Sequence, residues 1–331
     1  MPTPTSFGVR RGELIAALSQ ATDLAMGQPV EFALQSCLLA TRIAQQLALP
    51  ADEQAAVYYQ ALLRYVGCNA ETHTLAALFG DEIAFRRDFA RIDMGRANEM
   101  AALVFAHLRR AHSGAGLLGL VAGVAHGLIS SRKVSAENIA GHCEVAERLA
   151  ERLGLNADVR RNLGQIYERW DGHGLPHGLK GEATATAVRV VAVAQDAIVL
   201  RAAFGAQAAW AKLRARSGSA YDPRLVDVLL QNTERLTRGL DDATWDTVLV
   251  LEPLPQALLT EPEFDAACLA MADFADLKSP YTVGHSRAVS VLAAAAAPRR
   301  ASGCRRPMPL TWPAPACCTT SARSACRRVS G

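Results

Sequence analysis

The sequence lacks an apolar run long enough to cross a lipid bilayer. Its longest runs, at 115–125 and 291–297, fall short of the roughly 18 to 20 residues that a membrane helix needs. Residues 1–11 also lack the apolar core of a secretory signal peptide. These absences predict a cytoplasmic protein without a membrane partner.

Aromatic residues are scarce, with 4 Trp, 6 Tyr and 9 Phe among 331 residues, although half of the chain is apolar. Ala, Leu, Val and Arg are abundant instead, which favours helices packed on helices over a sandwich of sheets. The length is sufficient for two or three domains with a sizeable core. We therefore predict an all-α fold.

Cysteine pairs with the spacing of a zinc site or a disulfide framework are also missing. Cys37, Cys68, Cys143 and Cys268 are isolated from one another in the sequence. Such scattered cysteines are typical of small buried side chains in a reducing compartment.

Acidic residues are absent from Pro298–Gly331, which contains seven Arg. The rest of the chain holds 28 basic and 32 acidic residues, or −4, although the whole chain carries +3. A mildly acidic body argues against a nucleic-acid-binding surface, which is usually basic. Nucleic acid could bind only through the basic tail, and that is the less favoured interpretation of the tail.

Apolar residues recur at helical spacing along most of the chain. The predicted helices are Arg11–Ala25, Val30–Leu47, Asp52–Val66, Ala97–Arg110, Leu117–Ile129, Glu137–Leu153, Asp158–Trp170, Ala185–Phe204, Pro223–Leu240 and Glu263–Leu277, with a further helix ending at Pro298. The pattern predicts a helical domain over 1–250, a proline-rich linker at 251–262, a second helical unit at 263–297 and a disordered basic tail at 298–331.

Three separated motifs follow one another in the first unit: ERWDGHGLPHGLKGE at 168–182, RVVAVA at 189–194 and YDPRLV at 221–226. With the helices before them, they resemble the HD-GYP branch of the HD phosphohydrolases. The resemblance implies a helical bundle that binds two or three iron or manganese ions, and active members hydrolyse cyclic di-GMP. The signature loop here consists of Glu168, Arg169, Trp170, Asp171, Gly172, Gly174, Pro176, Gly178 and Gly181. Its glycines and proline predict an ordered, tightly wound corner.

Most positions that the resemblance assigns to metal ligands hold other residue types. They are Phe32 for the first His, Arg64 and Tyr65 for the His-Asp pair, Ile166 and Tyr167 for the His-His pair, and Gln195 for the last Asp. His142 alone retains a ligand position, and Cys68 replaces the phosphate-binding Lys. A two-metal site needs several converging His and Asp side chains. We therefore expect no cofactor in this chain, and predict that Arg64 and Tyr65 form a hydrogen-bonded plug.

Three histidines of the first unit have two interpretations each, and a fourth lies in the second unit. A partly buried structural role is favoured for His142 over that of a lone ligand, and solvent-facing positions are favoured for His173 and His177 over a metal-binding pair. His285 lies within Asp273–Ser286, a segment similar to the opening of a second HD-GYP domain, at the position of its first metal ligand.

The second copy loses its apolar pattern at Pro298. Reading the codons of Ala316–Ala322 in the neighbouring frame is compatible with Leu-Leu-His-Asp-Leu-Gly, the next motif of the family. This compatibility leads to the hypothesis of a frameshift near residue 298 that truncates the second copy.

The favoured function is a catalytically degenerate regulatory or ligand-binding module of a signalling protein, with a cyclic dinucleotide or another signalling domain or protein as partner. The first alternative is a metal-dependent phosphohydrolase or cyclic di-GMP phosphodiesterase, with iron or manganese in a non-standard site that uses His142, Asp171, His173 and Asp196, or His285. The second alternative is a truncated product without function.

Overall fold

The computed structural model describes residues 6–29, 31–111 and 139–296. The predicted helix Leu117–Ile129 and the tail at 298–331 lie outside the described residues. Within the described ranges, no helix is both long and apolar enough to span a membrane.

The described elements are mostly helices, which confirms the predicted all-α class. In chain order they are β1 (Ser6–Arg10), α1 (Arg11–Ala25), α2 (Phe32–Gln46), α3 (Ala51–Leu63), α4 (Thr72–Phe79), α5 (Glu82–Phe89), α6 (Ala97–Ala111), α7 (139–152), α8 (Ala157–Leu163), α9 (Thr186–Phe204), α10 (Ala206–Ala215), α11 (Pro223–Gln231), α12 (Thr233–Thr237), α13 (Trp245–Leu249), β2 (Leu258–Thr260), α14 (Glu261–Asp276) and α15 (His285–Ala296). Short 3-10 turns occupy Val66–Glu71, Gly181–Ala183 and Pro280–Thr282.

Helix α9 lies at the centre of the bundle and packs against α2, α3 and α10. Its sequence is apolar around most of its circumference, so it is suited to burial on several sides. Val190, Val193, Ala194 and Ala197 are completely buried. The residues that the family resemblance singles out on α2, just after α3 and on α9 therefore lie close to the same core.

Two predicted helices are shorter than expected. The prediction of a helix from Asp158 to Trp170 was wrong, because α8 ends at Leu163 and Gly164 follows as its C-cap. The chain then turns, and Tyr167 forms a β-bridge with Leu175. The prediction of one helix from Pro223 to Leu240 was also too long, because it is divided at Asn232.

The segment predicted as a linker, 251–262, contains a strand that the sequence did not indicate. β2 pairs antiparallel with β1 at the start of the chain. The buried Glu252 carboxylate also accepts hydrogen bonds from the Gly12 amide at 2.9 Å and from the Tyr59 hydroxyl at 3.4 Å. The start of the chain and the predicted linker are thus joined by backbone and side-chain contacts, while the domain bounds themselves stay a prediction.

Candidate functional site

Three of the residues that are predicted to stand at degenerate ligand positions lie together at the centre of the bundle. The side-chain amide of Gln195 on α9 donates a hydrogen bond of 2.7 Å to the hydroxyl of Tyr65, just after α3. The Tyr65 ring stacks on Phe32 of α2, with 5.8 Å between ring centroids. Phe32 and Gln195 are 3% and 4% exposed. An aromatic pair and a neutral amide therefore stand where the family resemblance places a His, an Asp and a further Asp.

Arg64 brings a positive charge to the same region. Its guanidinium Nη1 donates to the backbone carbonyl of Ile166 at 2.6 Å, across from α3 to the turn after α8. The charge of Arg64 also acts on Asp196 of α9, where it opposes the rise in pKa that burial causes in that carboxyl. A fixed cation disfavours a second, metallic cation nearby.

His142 lies against Tyr167, another residue at a predicted degenerate position. The Tyr167 hydroxyl lies 3.4 Å from His142 Nδ1 and 3.3 Å from the Cys68 sulfur. Gly67 packs closely against the helix that carries His142, because a Cβ added at Gly67 would lie 2.1 Å from the His142 carbonyl oxygen. The structure thus brings His142 together with Tyr167 and Cys68 in a tightly packed, partly buried contact.

The residues present do not fit an iron or manganese pair. Such ions need several carboxylate or imidazole donors in their metal-binding protonation states. Burial raises the pKa values of Tyr65 and Tyr167, so both phenols stay protonated. Among the described residues, no group of three or more His, Cys, Asp or Glu side chains is placed to hold a metal ion.

Asp196 follows Gln195 on α9 but points to a different neighbour. The Tyr221 hydroxyl donates to its carboxylate at 2.6 Å. Tyr221 belongs to the third family motif and is itself buried. Asp196 is the acid nearest to the position that the resemblance assigns to the last ligand. Its carboxylate therefore makes a contact between α9 and the segment just before α11.

Glu168, the first residue of the signature loop, holds the loop in place through hydrogen bonds. The Glu168 carboxylate accepts hydrogen bonds from the backbone amides of His177 at 2.7 Å and Leu179 at 2.8 Å. Gly174 packs on the backbone of the same corner, where an added Cβ would lie 2.4 Å from the Arg169 nitrogen. The Arg189 guanidinium lies over the Trp170 ring, 5.6 Å from the ring centroid. These contacts explain why the glycine-rich loop is ordered.

Arg169 of the signature loop also takes part in a buried charge cluster that the sequence analysis did not predict. Asp93, 4% exposed, pairs with Arg169 at 2.5 Å and lies 3.9 Å from Arg216. Arg169 makes a second ion pair with Asp171 at 2.9 Å. Asp93 and Arg169 are 76 positions apart, and no motif surrounds Asp93. Local spacing consequently gave no signal of this pairing.

The other candidate residues are dispersed. His173 is strongly exposed and lies 3.5 Å from Asp171, which is already paired with Arg169. His177 and His285 are also exposed, the latter at the first residue of α15. Asp171, Asp196 and His142 thus each contact a different set of neighbours.

Residues 124–225 match the HD domain family. The chain is 27% identical over 284 residues to the 3'3'-cGAMP-specific phosphodiesterase 3 of Vibrio cholerae, covering 84% of this chain and 61% of the relative. It is also 43% identical over 76 residues to the cyclic di-GMP phosphodiesterase response regulator RpfG of Xanthomonas campestris pv. campestris, covering 21% of this chain and 20% of that relative. It therefore spans less than two thirds of the length of either relative.

The crystal structure of the cyclic GMP-AMP specific phosphodiesterase V-cGAP3 of Vibrio cholerae has the same fold. It aligns with a TM-score of 0.63 at 24% identity, over 85% of this chain and 64% of the other. The fold and the match over residues 124–225 indicate an HD-type domain, and the chain is similar to HD-domain phosphohydrolases.

Proposed function

We propose that residues 1–250 form a non-catalytic regulatory or ligand-binding module of a protein that acts in cyclic dinucleotide signalling. The main observation in support of this proposal is the hydrogen bond between Gln195 and Tyr65, with Phe32 stacked on the Tyr65 ring. These side chains fill the core where metal ligands are expected, and Arg64 adds a cation beside them. The scaffold and loop of the family are kept, while the donors that hydrolysis needs are replaced.

The proposed ligand is a cyclic dinucleotide, because the relatives' names specify 3'3'-cGAMP and cyclic di-GMP. In this proposal, residues 263–297 are the opening of a second copy that carried the activity, separated by the linker at 251–262 and followed by the tail at 298–331. A second signalling domain or protein would then be the recipient of the binding signal.

The second candidate is a metal-dependent cyclic dinucleotide phosphodiesterase. The similarity to the Vibrio cholerae phosphodiesterase over 84% of this chain favours it. It would need iron or manganese held by His142, Asp171, His173 and Asp196, or by His285 in a second site. The dispersal of these residues in the described structure makes it the weaker proposal.

Binding and hydrolysis measured on the same full chain separate the candidates. We expect calorimetry to detect cyclic di-GMP or 3'3'-cGAMP binding in metal-free buffer, and chromatography to detect no hydrolysis when iron or manganese is added. A metal-dependent rate that His142→Ala abolishes and the exposed-site control His73→Ala retains would establish the second candidate instead. Absence of both binding and hydrolysis would reject both and leave a truncated product without function. Sequencing the gene beyond codon 298 tests the frameshift separately.

A further inference from the structure

Arg64 carries a positive charge that no carboxylate of the described residues pairs with. Its guanidinium Nη1 donates to the Ile166 carbonyl, while its buried Nε has no hydrogen-bond partner in the part of the chain that the structure describes. The residue as a whole is partly exposed, so a ligand can reach it. Because charged groups withdrawn from water are normally paired, this guanidinium is suited to an anionic ligand.

The side chains beside Arg64 are engaged with other groups. Asp196 of α9 is close enough for the charge of Arg64 to act on its carboxyl, but that carboxylate accepts its hydrogen bond from the Tyr221 hydroxyl at 2.6 Å. Tyr65 and Gln195 are hydrogen-bonded to each other and carry no charge. These contacts leave the guanidinium without a bound counter-ion.

A second arginine adds positive charge to the turn that follows α3. Arg86 of α5 is 5% exposed and donates to the Cys68 backbone carbonyl at 2.6 Å and to the Thr72 hydroxyl at 3.0 Å. Both acceptors are neutral, and Arg86 makes no ion pair with an acid of the described residues. Cys68 follows Arg64 by four positions and stands where the resemblance places the phosphate-binding lysine. Two cations without acidic partners therefore contact this part of the chain.

The buried charge cluster at the signature loop shows a different arrangement. Arg169 there has two acidic partners, Asp93 and Asp171. Its charge is used within the fold, whereas Arg64 and Arg86 donate to neutral oxygens alone. The positive potential near Arg64 is consequently not cancelled by ion pairs of these two arginines.

We propose that Arg64 binds a phosphate group of the ligand directly, at the place where the resemblance puts metal ligands. This inference rests on the proposed function, which supplies a cyclic dinucleotide with negatively charged phosphodiester groups. A guanidinium donates charge-assisted hydrogen bonds to phosphate oxygens, and the Ile166 carbonyl engages only Nη1. Arg86 is buried, so it strengthens the positive potential without touching the ligand. An arginine cannot generate the hydroxide that a metal centre provides, so the ligand is held without being hydrolysed.

Calorimetric titration of the full chain in metal-free buffer tests this contact, with cyclic di-GMP, 3'3'-cGAMP and inorganic phosphate as probes. We expect Arg64→Gln to raise the dissociation constant of the cyclic dinucleotide by about tenfold or more, because a charge-assisted contact is lost. Arg64→Lys retains the charge and should cause a smaller rise. The control is Arg235→Gln, which makes the same change of charge at an exposed position of α12.

Cyclic dinucleotide binding that Arg64→Gln leaves unchanged, or that Arg235→Gln weakens equally, would overturn this inference and leave the proposed function standing. If neither cyclic dinucleotide binds the wild-type chain, the proposed function fails and inorganic phosphate decides. Phosphate affinity that Arg64→Gln lowers would then support the anion site, and the lack of such affinity would overturn it. Circular dichroism checks the helical content of each variant, and if Arg64→Gln unfolds, the result for Arg64→Lys decides.

Discussion

The Gln195 side-chain amide and the Tyr65 hydroxyl form a 2.7 Å hydrogen bond where the family resemblance places two metal-binding aspartates. Gln195 is 4% exposed, so the contact is shielded from water. A hydrogen bond between neutral groups can satisfy buried polar atoms without a metal ion. The residues at these two positions, which the resemblance assigns to metal ligands, thus contact each other in the core of this unit.

Removing the Tyr65 hydroxyl should destabilise the protein. Tyr65→Phe deletes the acceptor and leaves the buried Gln195 amide without this partner, which costs about 1–3 kcal/mol. Denaturant unfolding monitored by circular dichroism measures the change. The control is Tyr281→Phe, because Tyr281 is 89% exposed. Equal stabilities of the two variants would show that the contact contributes little.

A buried acid on α1 should make stability depend on pH. Burial raises the pKa of Asp23 from 3.8 to about 8, and one of its carboxylate oxygens has no hydrogen-bond partner among the described residues. Because the native pKa lies above the unfolded value, the stability contributed by protonated Asp23 is fully present below about pH 4. That contribution is lost as the pH rises through 8.

A contact between α14 and α15 indicates how to reduce this loss. There the Asp276 carboxylate accepts a hydrogen bond from the Ser286 backbone amide, as the Asp23 carboxylate does from the Ala33 amide. The Ser286 hydroxyl donates to the other oxygen of Asp276 at 2.7 Å, and Ala33 stands at the matching position beside Asp23. Ala33→Ser should therefore lower the pKa of Asp23 and stabilise the protein at pH 8–9 by about 1 kcal/mol, with a smaller gain at pH 5. Unfolding curves at both pH values measure this, with exposed Ala288→Ser as control. A gain independent of pH would contradict the explanation.

The buried charge cluster predicts a large difference between two ion-pair variants. Asp93→Ala leaves the buried Arg169 and Arg216 without their shared carboxylate, and should cost about 3–5 kcal/mol. Asp158→Ala removes an ion pair with Arg161 whose side chains are 68% and 66% exposed. That loss should be about 0–1 kcal/mol. Comparable losses in chemical denaturation would show that the buried cluster has no special role.

The sequence was sufficient for the helical class, whereas the degenerate ligand positions stay a prediction. Helical periodicity and the loop motif are local signals, so α1, α2 and α9 could be located from them. The ion pair of Asp93 with Arg169 and the pairing of β1 with β2 join distant parts of the chain. Such contacts depend on how the helices pack, and neither has a local signature. The course of 164–170 was misjudged because its apolar spacing continues beyond the end of α8.

Metal content of the purified full chain tests the central claim most directly. Protein expressed with added iron and manganese would be gel-filtered and measured by inductively coupled plasma mass spectrometry beside the His142→Ala variant. Because Arg64, Tyr65 and Gln195 stand at the positions that the resemblance assigns to metal ligands, we predict far less than one iron or manganese ion per chain in both proteins. One or more ions per wild-type chain, lost in His142→Ala, would contradict the account.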